Sequence, residues 1–167
     1  SAARALEEAS LIVMHGHGAP GMSCGVDVAG LPKSLNGKFV LTGSCFAASP
    51  VRSDLPSLRQ APGGYRVEAR DAFALRAIDQ GATAVFGHMR LSMGFPHLFP
   101  VLESWMKGQT LGESYQQLIN GLIEIYGFRS GRFVVPADVP SGRRLPQNRL
   151  LYVVFGDPAL QPFEPLV

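Results

Sequence analysis

Charge is scarce in this sequence. Only 17% of its 167 residues are Asp, Glu, Lys or Arg, and the formal net charge is +2. A balance so close to neutral lacks the basic footprint of a nucleic-acid binder and the pull toward an anionic membrane. Long apolar runs are missing too. None approaches the roughly 18 to 20 residues that a membrane-spanning helix needs. Cysteine is nearly absent. Cys24 and Cys45 are too few for a disulfide framework, and neither stands in a CxxC pair. The first ten residues, "SAARALEEAS", show no charged-then-apolar pattern. They read as the tail of a helix, so the chain is expected to open partway through a domain. Compartment stays open.

What is present points to a core. Hydrophobic residues make up 46% of the chain, and its length suits one domain over residues 1–167. A helix is expected at 2–9, then a strand at 10–15, where a short continuous apolar run suits burial on both faces. Residues 16–36 read as glycine-rich loop. Strands follow at 38–42, 82–86 and 150–155. Helices are expected at 68–80, stopped by Gly81, and at 97–107 and 111–126. Thr110 and Glu113 have capping-box spacing ahead of the last helix. Residues 50–64 and 128–148 read as irregular, the latter rich in arginine and most simply solvated. Apolar strands alternating with helices predict an α/β fold: a three-layer α-β-α sandwich around a mostly parallel sheet.

Such sheets gather their chemistry at the carboxyl ends of strands. "LIVMHGHG" at 11–18 ends its strand in His15 and His17, "KFVLTGSC" ends in Cys45, and "ATAVFGHMR" ends in His88, Met89 and Arg90. A cysteine attacks a carbonyl as its thiolate, so it needs an imidazole or a helix start beside it. The small-residue run after Cys45 leaves room for a helical turn to begin at or just after it. His17, on the neighbouring strand, is the candidate base. Gly18, without a side chain, lets its amide approach a substrate carbonyl. With the Cys45 amide it forms a candidate oxyanion hole.

An apolar strand ending in Gly16-His17-Gly18, then one ending in Ser44-Cys45-Phe46-Ala47, resembles the caspase and gingipain clan of cysteine peptidases. The likeness is closest to its gingipain-like branch. "FALRAIDQGATAVFG" resembles that branch's next helix and strand, "LGESYQQLI" its following helix, and "VVFGDPAL" its closing strand. Together these cover most of residues 11–160. The resemblance implies a caspase-like fold and a cysteine endopeptidase acting on polypeptides. His17 would be the base, Cys45 the nucleophile, and the Gly18 and Cys45 amides the oxyanion hole. It calls for no cofactor and permits a secreted bacterial protein. That fold usually has two more strands and a helix before the His strand, which this chain is expected to lack. A second chain or an N-terminal segment is therefore expected to complete the sheet.

Other readings stand beside these. His15, nearer the strand, is the rival base, or a buried or second-shell histidine. Asp27, Ser44, His88 and Arg90 are candidates for lining a substrate pocket; Asp27 reads first as a loop carboxylate, and His88 and Arg90 read equally as structural. His15, His17, Cys24 and Cys45 are metal ligands by type, but their spacing fits no common zinc pattern. A Cys24–Cys45 disulfide would abolish the proposed activity. Asp157 reads as a turn residue and Trp105 as core. The runner-up function is an inactive caspase-like domain that binds or scaffolds protein. Another cysteine hydrolase or amidotransferase ranks lower, since "GSCFA" lacks the second glycine of a nucleophile elbow.

Overall fold

The computed structural model describes residues 2–49, 69–89, 92, 98–126 and 151–164. The chain begins with α1 (Ala2–Glu8) and β1 (Leu11–Met14), then three two-residue strands, β2 (Gly18–Ala19), β3 (Met22–Ser23) and β4 (Val26–Asp27). β5 (Phe39–Thr42), α2 (Phe73–Asp79) and β6 (Ala84–His88) follow. α3 (Phe99–Met106), α4 (Leu111–Tyr126) and β7 (Tyr152–Gly156) close the series. The expected irregular stretches at 50–64 and 128–148, and the candidate Arg90, lie outside the described residues.

β1, β5, β6 and β7 form one sheet in that order. The first three run parallel and β7 pairs antiparallel with β6, so the sheet is mostly parallel as expected. In register, Leu11, Phe39 and Ala84 lie abreast, then Ile12, Val40 and Val85, then Val13, Leu41 and Phe86. Successive side chains of a strand point to opposite faces, and the two cores divide on that alternation. Ile12, Met14, Val40 and Val85 pack with Leu6 of α1 and with Phe73, Ala74 and Ala77 of α2. Leu41, Ala84 and Phe86 pack with Val101 and Trp105 of α3 and with Leu118 and Leu122 of α4. Helices therefore cover both faces, which makes three layers. A fully buried side chain such as Phe73 or Phe86 contributes roughly 1.5–3 kcal/mol.

Two expectations need correction. β1 is not buried on both faces: Val13 is 42% exposed. The strand lies at the sheet edge, where α3 does not fully cover it. The stretch 16–36 is not plain loop either. It holds the small antiparallel sheet β2-β3-β4 and a 3-10 turn, Val28–Gly30. Its second hairpin turns on Cys24 and Gly25, both at positive φ (51° and 78°), as a two-residue hairpin of the right twist requires. Strands of two residues leave no periodic trace in a sequence. Elsewhere the agreement is close. The expected helix at 68–80 is a 3-10 turn (Ala69–Asp71) and then α2, separated by Ala72 in an extended conformation.

Candidate functional site

Parallel pairing sets the site. Met14 and Thr42 are abreast at the carboxyl ends of β1 and β5, and the Gly43 amide donates to the Met14 carbonyl at 3.0 Å. His17 comes three residues after Met14, and Cys45 three residues after Thr42. Both leave the sheet on the same rim, from adjacent strands. His88, the last residue of β6, closes the same rim.

The two turns touch at Gly18. A Cβ placed there would collide with the Cys45 carbonyl oxygen and lie 2.6 Å from Ser44 Cβ and 3.1 Å from the Cys45 nitrogen. Only glycine fits this close backbone approach. Beneath it lies a row of buried hydroxyls. Ser23 and Thr42 share a 2.7 Å hydrogen bond, Ser23 donates to Ser44 at 3.0 Å, and the Ser44 amide donates to Thr42 Oγ1 at 3.1 Å. All three side chains are fully buried. They lock β3 of the small sheet onto the end of β5, and so hold the His17 segment against the Cys45 segment.

Cys45 is half-buried and its thiol is free. The Ser92 amide donates to its sulfur at 3.3 Å, and the thiol donates to the Ser92 carbonyl at 3.7 Å. The helical turn left open by the sequence does not form here. Phe46 takes a left-handed φ of 59°, and a tight turn closes as the Ser49 amide donates to the Phe46 carbonyl at 2.9 Å. The Ala48 amide donates to the His88 carbonyl at 3.1 Å, and the Ala74 amide to the Ala47 carbonyl at 3.0 Å. The nucleophile candidate thus sits on a turn pinned to β6 and α2.

The His17 side chain is exposed, while its carbonyl is fixed by the Cys24 amide at 2.9 Å. His15 is exposed as well, contrary to the expectation of a buried histidine. Its carbonyl accepts from the Cys24 thiol at 2.9 Å. Alternation along β1 carries His15 outward with Val13, so nearness to the strand does not bury it. Cys24 and Cys45 are both free, so no disulfide joins them. Among the described residues no three of His, Cys, Asp and Glu converge as a metal would require.

The pocket candidates separate. Asp27 is exposed and caps the 3-10 turn, its Oδ1 accepting from the Gly30 amide at 2.9 Å. Ser44 is committed to the buried hydroxyl row. His88 is fully buried, edge-on to the Tyr152 ring at 4.6 Å and 80°. Asp157 makes the turn it was read for, its Oδ1 accepting from the Ala159 amide at 2.9 Å. Trp105 is fully buried core. Ser92 and Tyr152 were not singled out by sequence reasoning, and a serine 47 residues from Cys45 gives no motif that would flag it. The arrangement offers a thiol, an imidazole and closely packed backbone amides on one rim. Set against protein-family models, curated proteins and solved structures, this chain matches none.

Proposed function

We propose that the chain is a cysteine endopeptidase. Cys45 attacks a peptide carbonyl as its thiolate, forming the carbon–sulfur bond of an acyl-enzyme. The carbon–nitrogen bond breaks as His17 gives its proton to the leaving amine. Water, activated by His17, then hydrolyses the acyl-enzyme and returns the thiol. The amides of Gly18 and Cys45 hold the developing oxyanion, and one such donor is worth about 3 kcal/mol. The packing of Gly18 against Cys45 carries this reading, because it brings the residue beside His17 onto the backbone of the nucleophile. Helices on both faces, with His17 and Cys45 following adjacent parallel strands, also agree with the gingipain-like resemblance.

The test is a peptide-library cleavage assay with Cys45→Ala and His17→Ala, alongside iodoacetamide labelling. Cleavage should vanish in both variants, and Cys45 should label faster than Cys24. Cys24 is the more exposed thiol, so faster labelling at Cys45 cannot come from access alone. Equal labelling, with cleavage unchanged in Cys45→Ala, would end this reading.

One observation favours the runner-up, a domain whose role is to bind polypeptide. The exposed large hydrophobics among the described residues, Val13 at 42%, Phe99 at 52% and Met106 at 50%, all line one groove of about 660 Å³ beside the edge strand β1. Apolar grooves beside an open strand edge are places where a further polypeptide adds to a sheet. A monodisperse monomer with full peptidase activity would count against that role.

A further inference from the structure

We propose that Ser92 and Tyr152 position the Cys45 sulfur, Tyr152 holding Ser92 and the Ser92 backbone holding the sulfur. The inference rests on the reading of Cys45 as the nucleophile. Ser92 meets the sulfur with two backbone groups: its amide at 3.3 Å and its carbonyl at 3.7 Å. These groups respond differently to the charge on sulfur. A carbonyl accepts only from the protonated thiol. An amide N–H bonds to either form, and more strongly to the thiolate, as a charge-assisted donor. When the proton leaves, the carbonyl contact is lost and the amide contact remains. The closer contact, the Ser92 amide, is the one that can hold the sulfur through the reaction, provided that Ser92 stays in place.

Tyr152 supplies the anchor. Its hydroxyl and the Ser92 hydroxyl share a hydrogen bond at 3.3 Å. Tyr152 is fully buried and held on several sides. It pairs with His88 across β6 and β7, and its ring meets His88 edge-on at 4.6 Å. The Phe86 ring lies 6.3 Å away, and the Tyr115 hydroxyl donates to the Tyr152 carbonyl at 3.1 Å. A side chain locked in this way has little rotamer freedom left to lose, so its hydroxyl is a fixed point. The relay runs from the core of β7, through one hydroxyl pair, to the amide that faces the sulfur. Tyr152 acts through Ser92, and Ser92 holds the sulfur without supplying a reacting group, so both are positioning residues.

The experiment follows iodoacetamide alkylation of Cys45 in the whole protein by peptide-resolved mass spectrometry. Cys24 in the same samples serves as the internal control. Tyr152→Phe and Ser92→Ala should each slow Cys45 alkylation about three- to tenfold, the scale of one hydrogen bond made or lost. Ser92→Thr keeps the hydroxyl and should restore the original rate, a rescue that a purely structural role would not produce. The double variant should be no slower than either single one, because both break the same link. Unchanged or faster alkylation in folded Ser92→Ala, or Ser92→Thr as slow as Ser92→Ala, overturns the proposal. Should Tyr152→Phe fail to fold, the Ser92 pair decides alone. Peptide hydrolysis, run in parallel, separates the two readings: a wild-type protein without hydrolysis ends the peptidase reading, while alkylation still decides the role of Ser92.

Discussion

The space that a side chain would need at Gly18 is already taken by the backbone of Cys45. Two turns from adjacent strands are thus in contact, and their spacing is set by the missing Cβ. Gly18→Ala must push them apart, since the nearest atoms are two of the Cys45 backbone and Ser44 Cβ, none of which can rotate away. Overpacking of this kind costs about 1–3 kcal/mol. A displacement near 1 Å at a catalytic pair lowers turnover on the order of a hundredfold. Urea unfolding and kcat/KM on the best library peptide read the two effects separately. A Gly18→Ala protein with both values unchanged would remove the contact on which the site is built.

Ser23, Thr42 and Ser44 form the second prediction. Each hydroxyl is buried and bonded to another in the row. Ser23 is the link between the small sheet and β5. Ser23→Ala removes that link: the buried Ser44 hydroxyl loses its Ser23 donor, and Thr42 Oγ1 keeps only the Ser44 amide. Such a loss costs about 1–3 kcal/mol. The small sheet carries Gly18, so its loosening should lower peptide hydrolysis as well. Chemical denaturation of Ser23→Ala at neutral pH is the check, and an unchanged midpoint would refute it.

Much of this fold could be read from residue patterns, and for one reason. The main strands are largely apolar stretches of four or five residues that must be covered, and the helices between them are stopped by Gly81 and capped by Thr110. Those signals are local. The rim that holds His17 and Cys45 was legible too, because parallel strands put their carboxyl ends together. The features without a local signal are made by long-range contact. The hairpins at 18–27 have strands too short to show alternation. The left-handed Phe46 stands where the sequence left room for a helical turn, because Ala47 and Ala48 are drawn to α2 and β6. The burial of Ser44 and His88, and the approach of Ser92 to Cys45, depend on partners 21 to 64 residues away. No window of sequence contains both members of these pairs.

The groove beside β1 yields a prediction about association. Val13, Phe99 and Met106 place apolar surface next to a strand edge whose backbone faces outward in the described sheet. Edges of this type promote pairing between chains unless they carry a charge. Val13→Lys puts an ammonium at the edge, near Glu103 and Glu164 on the groove wall, and leaves the core of the sheet untouched. It should reduce concentration-dependent association in sizing and light-scattering experiments. It should leave stability within about 0.5 kcal/mol, because the residue is already half in solvent. Association that persists at the original level in Val13→Lys would mean that another surface is responsible.

The start of α4 gives the last prediction, a pH dependence with a definite sign. Thr110 and Glu113 form the reciprocal cap that their spacing announced. The Thr110 amide donates to Glu113 Oε2 at 2.8 Å, its hydroxyl donates to the same oxygen at 3.0 Å, and the Glu113 amide donates back to Thr110 Oγ1 at 3.2 Å. The backbone bond from Thr110, and then its hydroxyl, hold the Glu113 carboxyl below the ordinary glutamate range. A carboxylate with a lowered value in the folded protein stabilises the fold above its unfolded value, about 4.3. As pH falls below that, the unfolded chain takes up the proton first, and the stabilisation fades until the folded value is passed. Glu113→Gln keeps the size and has no proton to gain. The difference in urea midpoint between wild type and Glu113→Gln should therefore be constant near neutral pH and shrink as pH falls through about 4.3. Thr110→Ala, which removes the hydroxyl from both of its bonds, should cost about 1 kcal/mol at neutral pH. A wild-type advantage over Glu113→Gln that stayed the same down to the acid limit of folding would show that the Glu113 charge contributes nothing to the cap.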